Sequence, residues 1–153
     1  MKTLKPILIC AFFSLSFLYG AAQHSSTFKE PNYNKPKLFA DLPEKLDVQI
    51  KDLENLFVVS EGKHVKVPIG SFSFQGTVVS KSDPADEKVK SVVIKSSNRL
   101  GAAFTFTRIV NENGGFSYKG RMLSRDHSDA FEMQQQNGQY SLVKKHQLEI
   151  LNE

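Results

Sequence analysis

The stretch that decides the fold is Phe104-Thr105-Phe106-Thr107-Arg108-Ile109-Val110, Asn111-Glu112-Asn113-Gly114-Gly115, Phe116-Ser117-Tyr118-Lys119-Gly120-Arg121-Met122. Two runs alternating between apolar and polar residues flank a loop of asparagine and glycine. Alternation with period two is the pattern of a half-buried strand, and Asn-Gly-Gly tolerates the positive φ of a tight reversal. The stretch therefore predicts an antiparallel hairpin. Parity fixes its register. A five-residue loop sets Val110 against Phe116, Arg108 against Tyr118, Phe106 against Gly120 and Phe104 against Met122, so the large side chains share one face. A slip of one residue would oppose them to Ser117, Lys119 and Arg121. In this register Phe106 is expected to cover the bare backbone of Gly120, and the Arg108 guanidinium to stack on Tyr118.

The second strand of this hairpin has an earlier counterpart. Phe72-Ser73-Phe74-Gln75-Gly76-Thr77-Val78-Val79-Ser80-Lys81 matches Phe116-Ser117-Tyr118-Lys119-Gly120-Arg121-Met122-Leu123-Ser124-Arg125 in type, 44 positions upstream. Each reads as a strand with a glycine at its middle, and Gly76 is expected under an aromatic ring or at a bend. Extending the offset finds only scattered matches, so the pair marks two equivalent strands and no duplicated half-domain.

Working outward, the remaining segments are short and β-rich. Leu46, Val48 and Ile50 alternate with Asp47, Gln49 and Lys51. Leu53, Leu56 and Phe57 are spaced for one or two helical turns, with Asp52 as the expected N-cap. His64 to Ile69 alternates again, and Pro68 within it indicates an edge strand. Val89 to Ile94 is β-branched. Asp126-His127-Ser128-Asp129 reads as a solvated turn, Ala130 to Gln134 as a strand, and Asn137-Gly138 as a hairpin turn into Gln139 to Lys145. Residues 146 to 153 finish as strand or fray. The expectation is an all-β, antiparallel sandwich or small barrel of about seven or eight strands, with one short N-terminal helical turn.

The 153 residues suffice for one domain beyond a targeting segment. Lys2 and Lys5 precede an apolar run to Tyr19, and Gly20-Ala21-Ala22 follows, the layout of a secretory signal peptide over residues 1–22. The apolar run is too short for a comfortable span, although an uncleaved anchor is the alternative reading. Residues 23–37 are polar and punctuated by Pro31 and Pro36, a flexible leader. Residues 38–153 form the single β-rich domain. The only cysteine, Cys10, lies in the signal, so no disulfide or zinc-thiolate is expected in the mature chain. With the signal removed, 18 bases face 16 acids. That balance argues against nucleic acid as a partner.

Candidate chemistry is sparse. Asp126, His127 and Asp129 are residue types common in catalytic sites, but neighbouring side chains diverge and no nucleophile motif accompanies them. Asp83, Asp86, Asp126 and Asp129 would bind a cation only if two loops met, and their spacing does not match an EF-hand. His24, His64, His127 and His146 are scattered. No cofactor motif appears, and no catalytic, cofactor or metal residue is expected. The residues singled out as structural are Phe72, Phe74, Gly76, Phe104, Phe106, Gly114, Gly115, Phe116, Tyr118 and Gly120. Arg108, Asp126, His127 and Asp129 are the surface candidates.

Phe74-x-Gly76-x-Val78, Ser91-Val92-x-Ile94, Tyr118-x-Gly120-Arg121, Asp129-Ala130-Phe131-Glu132 and Tyr140-x-Leu142-x-Lys144 together resemble a set of short secreted bacterial proteins, notably from Bacteroidetes. Such proteins have a signal peptide, a β-rich body and no assigned activity. The same pattern is fainter in its similarity to the β-rich prosegments of secreted metalloproteases. The resemblance covers about residues 38 to 145. This chain lacks the zinc-binding histidine motif of the proteases, so no catalytic residue is carried over. What the resemblance implies is a secreted or periplasmic location and a β-rich fold. The function expected is a monomeric, non-enzymatic binding module for a protein or glycan, with a protease held in prosegment fashion as one such protein. The rival expectation is a surface protein that self-associates through edge strands. A small hydrolase built on residues 126–129 stands third.

Overall fold

The computed structural model describes residues 34–151. Residues 1–22, expected as a signal peptide, and most of the expected leader lie outside them. Eight strands form one antiparallel sheet: β1 (Lys45–Val48), β2 (His64–Ile69), β3 (Phe72–Lys81), β4 (Val89–Ser96), β5 (Ala102–Val110), β6 (Phe116–Ser124), β7 (Asp129–Gln136) and β8 (Gln139–His146). Spatial order is β1-β8-β7-β6-β5-β4-β3-β2. From β2 to β8 every neighbour in space is a neighbour in sequence. Only β1 reaches across the chain, to pair with β8.

The hairpin register is the one parity requires. Val110 opposes Phe116, Arg108 opposes Tyr118, Phe106 opposes Gly120 and Phe104 opposes Met122. Asn111 N–H donates to Gly115 O across the turn, and Gly114 takes φ of 78°. At the next reversal Asn137 (φ 52°) and Gly138 (φ 78°) join Gln136 to Gln139. Both central residues have positive φ, so the turn twists with its strands.

The sheet curls into a half-barrel around a core of rings. Phe39, Phe74, Phe104, Phe106 and Phe131 are fully buried with Leu46, Ile69, Ile94, Met122 and Leu142. Phe57 stacks on Phe106 at 5.2 Å between centroids, and Phe106 on Tyr118 at 5.8 Å. The two free edges converge at one point. Gly70, at φ 55°, comes so close to β1 that a Cβ there would lie 3.3 Å from Asp47 N.

Helix α1 (Ile50–Glu54) and the 3-10 turn Asn55–Val58 carry Leu53 and Leu56 into the core. They close the upper end, where residues 111–115 and 137–138 turn. The helix starts two residues before the expected Asp52 cap. Gln49 occupies the N-cap in extended conformation, Asp52 N–H donates to Gln49 O, and Asp52 falls in the first turn. The C-terminal residues expected as strand or fray form a helix, α2 (Gln147–Leu151), which packs against β7 and β8 with Ile150 buried.

The two mid-strand glycines face inward for different reasons. A Cβ on Gly120 would meet Met133 Cε at 2.8 Å, so the methionine of β7 fills the space expected for Phe106. The Phe106 ring instead extends the stack between Phe57 and Tyr118. A Cβ on Gly76 would meet Lys95 O at 2.3 Å. Backbone of β4, and not an aromatic ring, lies over this glycine. Just beyond it the β3–β4 register shifts between Val78 and Ser80. The extra residue, Val79, reverses the parity of the strand end and turns Lys81 inward.

Candidate functional site

The upper rim gathers exposed apolar surface around a charged centre. Arg108, from β5, projects inward at the top of the sheet. It does not stack on Tyr118 as expected. Its guanidinium lies 4.7 Å from the Phe116 centroid and 5.5 Å from that of Phe57. Glu54, at the end of α1, accepts from Arg108 Nη1 at 3.3 Å and from Tyr118 Oη at 2.8 Å. Burial and the Glu54 carboxylate that Tyr118 donates to push the phenol up to about 12. Tyr140 meets Tyr118 edge-on at 5.5 Å.

The rim leaves two large side chains in solvent. Phe116 is 49% exposed and Val58, next to Phe57, is 84% exposed. Arginine and aromatic side chains are enriched at protein interfaces, because the rings bury large apolar area with few rotors and the guanidinium combines an apolar stem with five donors. Phe57 and Val58 are held in place by Lys81. Its ammonium donates to Phe57 O at 2.5 Å and Val59 O at 2.9 Å, satisfying carbonyls that end the 3-10 turn. Beside it a cleft of about 430 Å³ is lined by Phe57, Glu61, Lys81, Asp83 and Lys90, among others.

The lower end holds the other surface candidates: Asp126 is exposed, whereas Asp129 and His127 bond to residues 36–39. Asp129 was expected in a solvated turn but is 2% exposed. Its two oxygens accept from Leu38 N–H at 2.8 Å and Phe39 N–H at 2.6 Å. A buried carboxylate is tolerated when charge-assisted bonds replace its water. His127 Nδ1 lies 2.8 Å from Pro36 O. A carbonyl only accepts, so the ring carries its proton on Nδ1. Arg99 donates to Leu38 O and forms a two-pronged pair with Asp41. That guanidinium holds the Asp41 carboxyl below the usual carboxylate range. Lys144 Nζ donates to Leu42 O at 2.7 Å and to Glu44 at 3.1 Å. Residues 36–42 thus form a strap across the lower mouth, with Phe39 inserted edge-on to Phe131 at 5.7 Å.

The four aspartates do not form a cation site. Asp83 and Asp86 sit in the upper β3–β4 loop, whereas Asp126 and Asp129 flank the lower β6–β7 turn, so the sheet's full height separates them. Asp83 accepts from Ala85 N–H, and Asp86 accepts from Lys88 and Val89 N–H. Among the described residues no three His, Cys, Asp or Glu side chains gather as metal ligands. No described helix is long and apolar enough to cross a membrane.

Sequence reasoning placed Arg108, Phe116 and Tyr118 together through the hairpin register. It missed Glu54 and Val58, which arrive from a separate element, and Lys81, whose inward turn depends on the bulge at Val79. Comparison with protein-family models, curated proteins and solved structures finds no match to this chain.

Proposed function

We propose that this chain is a secreted, non-enzymatic binding module that docks a protein partner on its upper rim. The observation carrying this reading is the half-exposed Phe116 ring held against Arg108 on the rim that also exposes Val58. An apolar patch centred on arginine and aromatic side chains is the composition of an interface hot spot. A secreted protease, held as a prosegment would hold it, is one partner of this kind, and a glycan the other class that aromatic rings accept.

The rival reading, self-association through edge strands, meets two obstacles. Edge strand β2 carries Lys66 and Pro68, and Pro68 has no N–H to offer a ladder. Edge strand β1 has four residues and is approached at Asp47 by Gly70. Both edges are protected in ways that oppose pairing between copies.

The test is capture from culture medium by the tagged chain, followed by cross-linking. A partner recovered with a monomeric chain, cross-linked near the rim, and lost on Phe116→Ser with Val58→Ser at unchanged melting temperature is the expected result. Capture unaffected by the double change would sink the rim as docking face. Oligomers growing with concentration would favour self-association. Turnover in a hydrolase panel that vanishes in His127→Ala would replace binding with catalysis.

A further inference from the structure

The strap across the lower mouth is held in an unusual way. Residues 36–42 belong to no strand or helix, yet side chains from the β4–β5 turn, the β6–β7 turn, β7 and β8 recognise their main chain. Asp129 takes the amides of Leu38 and Phe39. Arg99 donates to Leu38 O, His127 to Pro36 O, and Lys144 to Leu42 O. One strap side chain, Phe39, is wholly engulfed, while Pro36, Lys37, Ala40 and Asp41 face solvent. Residues 39–42 make a turn, closed by Leu42 N–H donating to Phe39 O at 3.1 Å, so the surrounding side chains read the main chain of a turn and one aromatic pocket takes its ring. The strap does not fill the space. A cleft of about 190 Å³ continues beside it, lined by Glu44, Asp129, Lys144, His146 and Glu149 among others. Gln147, which follows β8 and is 8% exposed, keeps a buried Oε1 with no hydrogen-bond partner among the described residues.

We propose that the lower mouth is a peptide-recognition groove, and that residues 36–42 occupy it in cis as a displaceable stand-in. Its partner is a turn-forming segment presenting a phenylalanine, with a carboxylate two residues later to meet Arg99, as Phe39-Ala40-Asp41 does. Asp129, Arg99, His127 and Lys144 read the main chain of that segment, and Phe131 forms the wall of the aromatic pocket. The apparent affinity for such a segment is reduced by the fraction of time the strap is closed. Releasing the strap breaks side-chain bonds and exposes Phe39 together with the half-buried Leu38 and Leu42, while every strand of the sheet keeps its ladder. The groove is therefore a low-stability local unit on a stable body. It lies at the opposite end of the half-barrel from the upper rim and does not depend on the function assigned there.

The experiment uses the full chain and a fluorescent synthetic peptide with the sequence of residues 34–44. Anisotropy should show the peptide binding the Phe39→Ala chain about tenfold more tightly than the wild-type chain. That binding should fall about tenfold when the peptide's own phenylalanine is alanine, or when the chain also carries Asp129→Asn. A folded Phe39→Ala chain that ignores the peptide, or binds it regardless of its phenylalanine, overturns the proposal. A strap-exchanged dimer of the wild-type chain would assign the groove to a second copy and overturn it too. Amide hydrogen exchange on the wild-type chain gives a reading that needs no variant. Leu38 and Phe39 should exchange about a hundredfold faster than Phe104 and Phe106. Equal rates would mean the strap opens only with global unfolding, and the groove is then no groove.

Discussion

Gly76 and Gly120 occupy matching places in two similar strands, yet their surroundings demand different things of a side chain. At Gly120 the obstructing atom is the end of a methionine, which has rotors to spare. At Gly76 it is a backbone carbonyl oxygen at 2.3 Å. Gly120→Ala is therefore expected to cost about 1 kcal/mol, and Gly76→Ala about 3 kcal/mol or more, because a strand of the sheet must move. Denaturant unfolding of the two variants checks this, and equal losses would contradict the contrast. The sequence made the two glycines look alike because it displays the strand and hides what packs over it. Arg108 teaches the same lesson. Its partner across the ladder was legible from parity. Phe116 was within reach on the same hairpin, but the Phe57 ring was not legible, since it comes from an element with no strand pairing at all.

Strands were the most legible elements, and their junctions the least. Alternation and turn residues were enough for β2, β5, β6 and the β7–β8 reversal, because each is set by neighbours a few residues away. The bulge at Val79 has no such marker. It reverses the parity of the end of β3 and sends Lys81 to the 3-10 turn, where its ammonium meets two carbonyls. Lys81→Met keeps the aliphatic stem and removes both bonds. The expected loss is about 2 kcal/mol, with faster amide exchange in the 3-10 turn, measured by thermal unfolding and hydrogen exchange. A variant as stable as the parent would show that water replaces the ammonium without cost. The strap was equally hidden. Pro36 and Lys37 read as the end of a leader, residues 38–42 as the start of the domain and Asp129 as a turn residue; what joins them was not legible, because the bonds span about ninety positions.

At the scale of the whole molecule, stability responds to pH from both ends. The Tyr118 phenol is raised from 10.0 to about 12 in the folded chain. Its contribution is complete below the unfolded value near 10. Between that value and about 12 the unfolded chain has released a proton that the folded chain keeps, so stability falls as pH rises. Tyr118→Phe should flatten the alkaline fall in melting temperature, and an unchanged slope would remove Tyr118 as its cause. Asp41 acts in the opposite direction. Its carboxyl is depressed by Arg99, so its contribution holds above the ordinary carboxylate range and fades as pH drops through the lowered value. Between these limits, the fold is a meander of neighbours closed by one distant pairing, β1 on β8. That pairing has a mechanical consequence. The chain leaves the strap at Leu42 and enters β1 three residues later, where Glu44 O accepts from Lys144 N–H as the first rung. Tension applied from the N-terminal side would load bonds one at a time. The strap would yield first, β1 would peel rung by rung from β8, and the seven remaining strands would bear the load last.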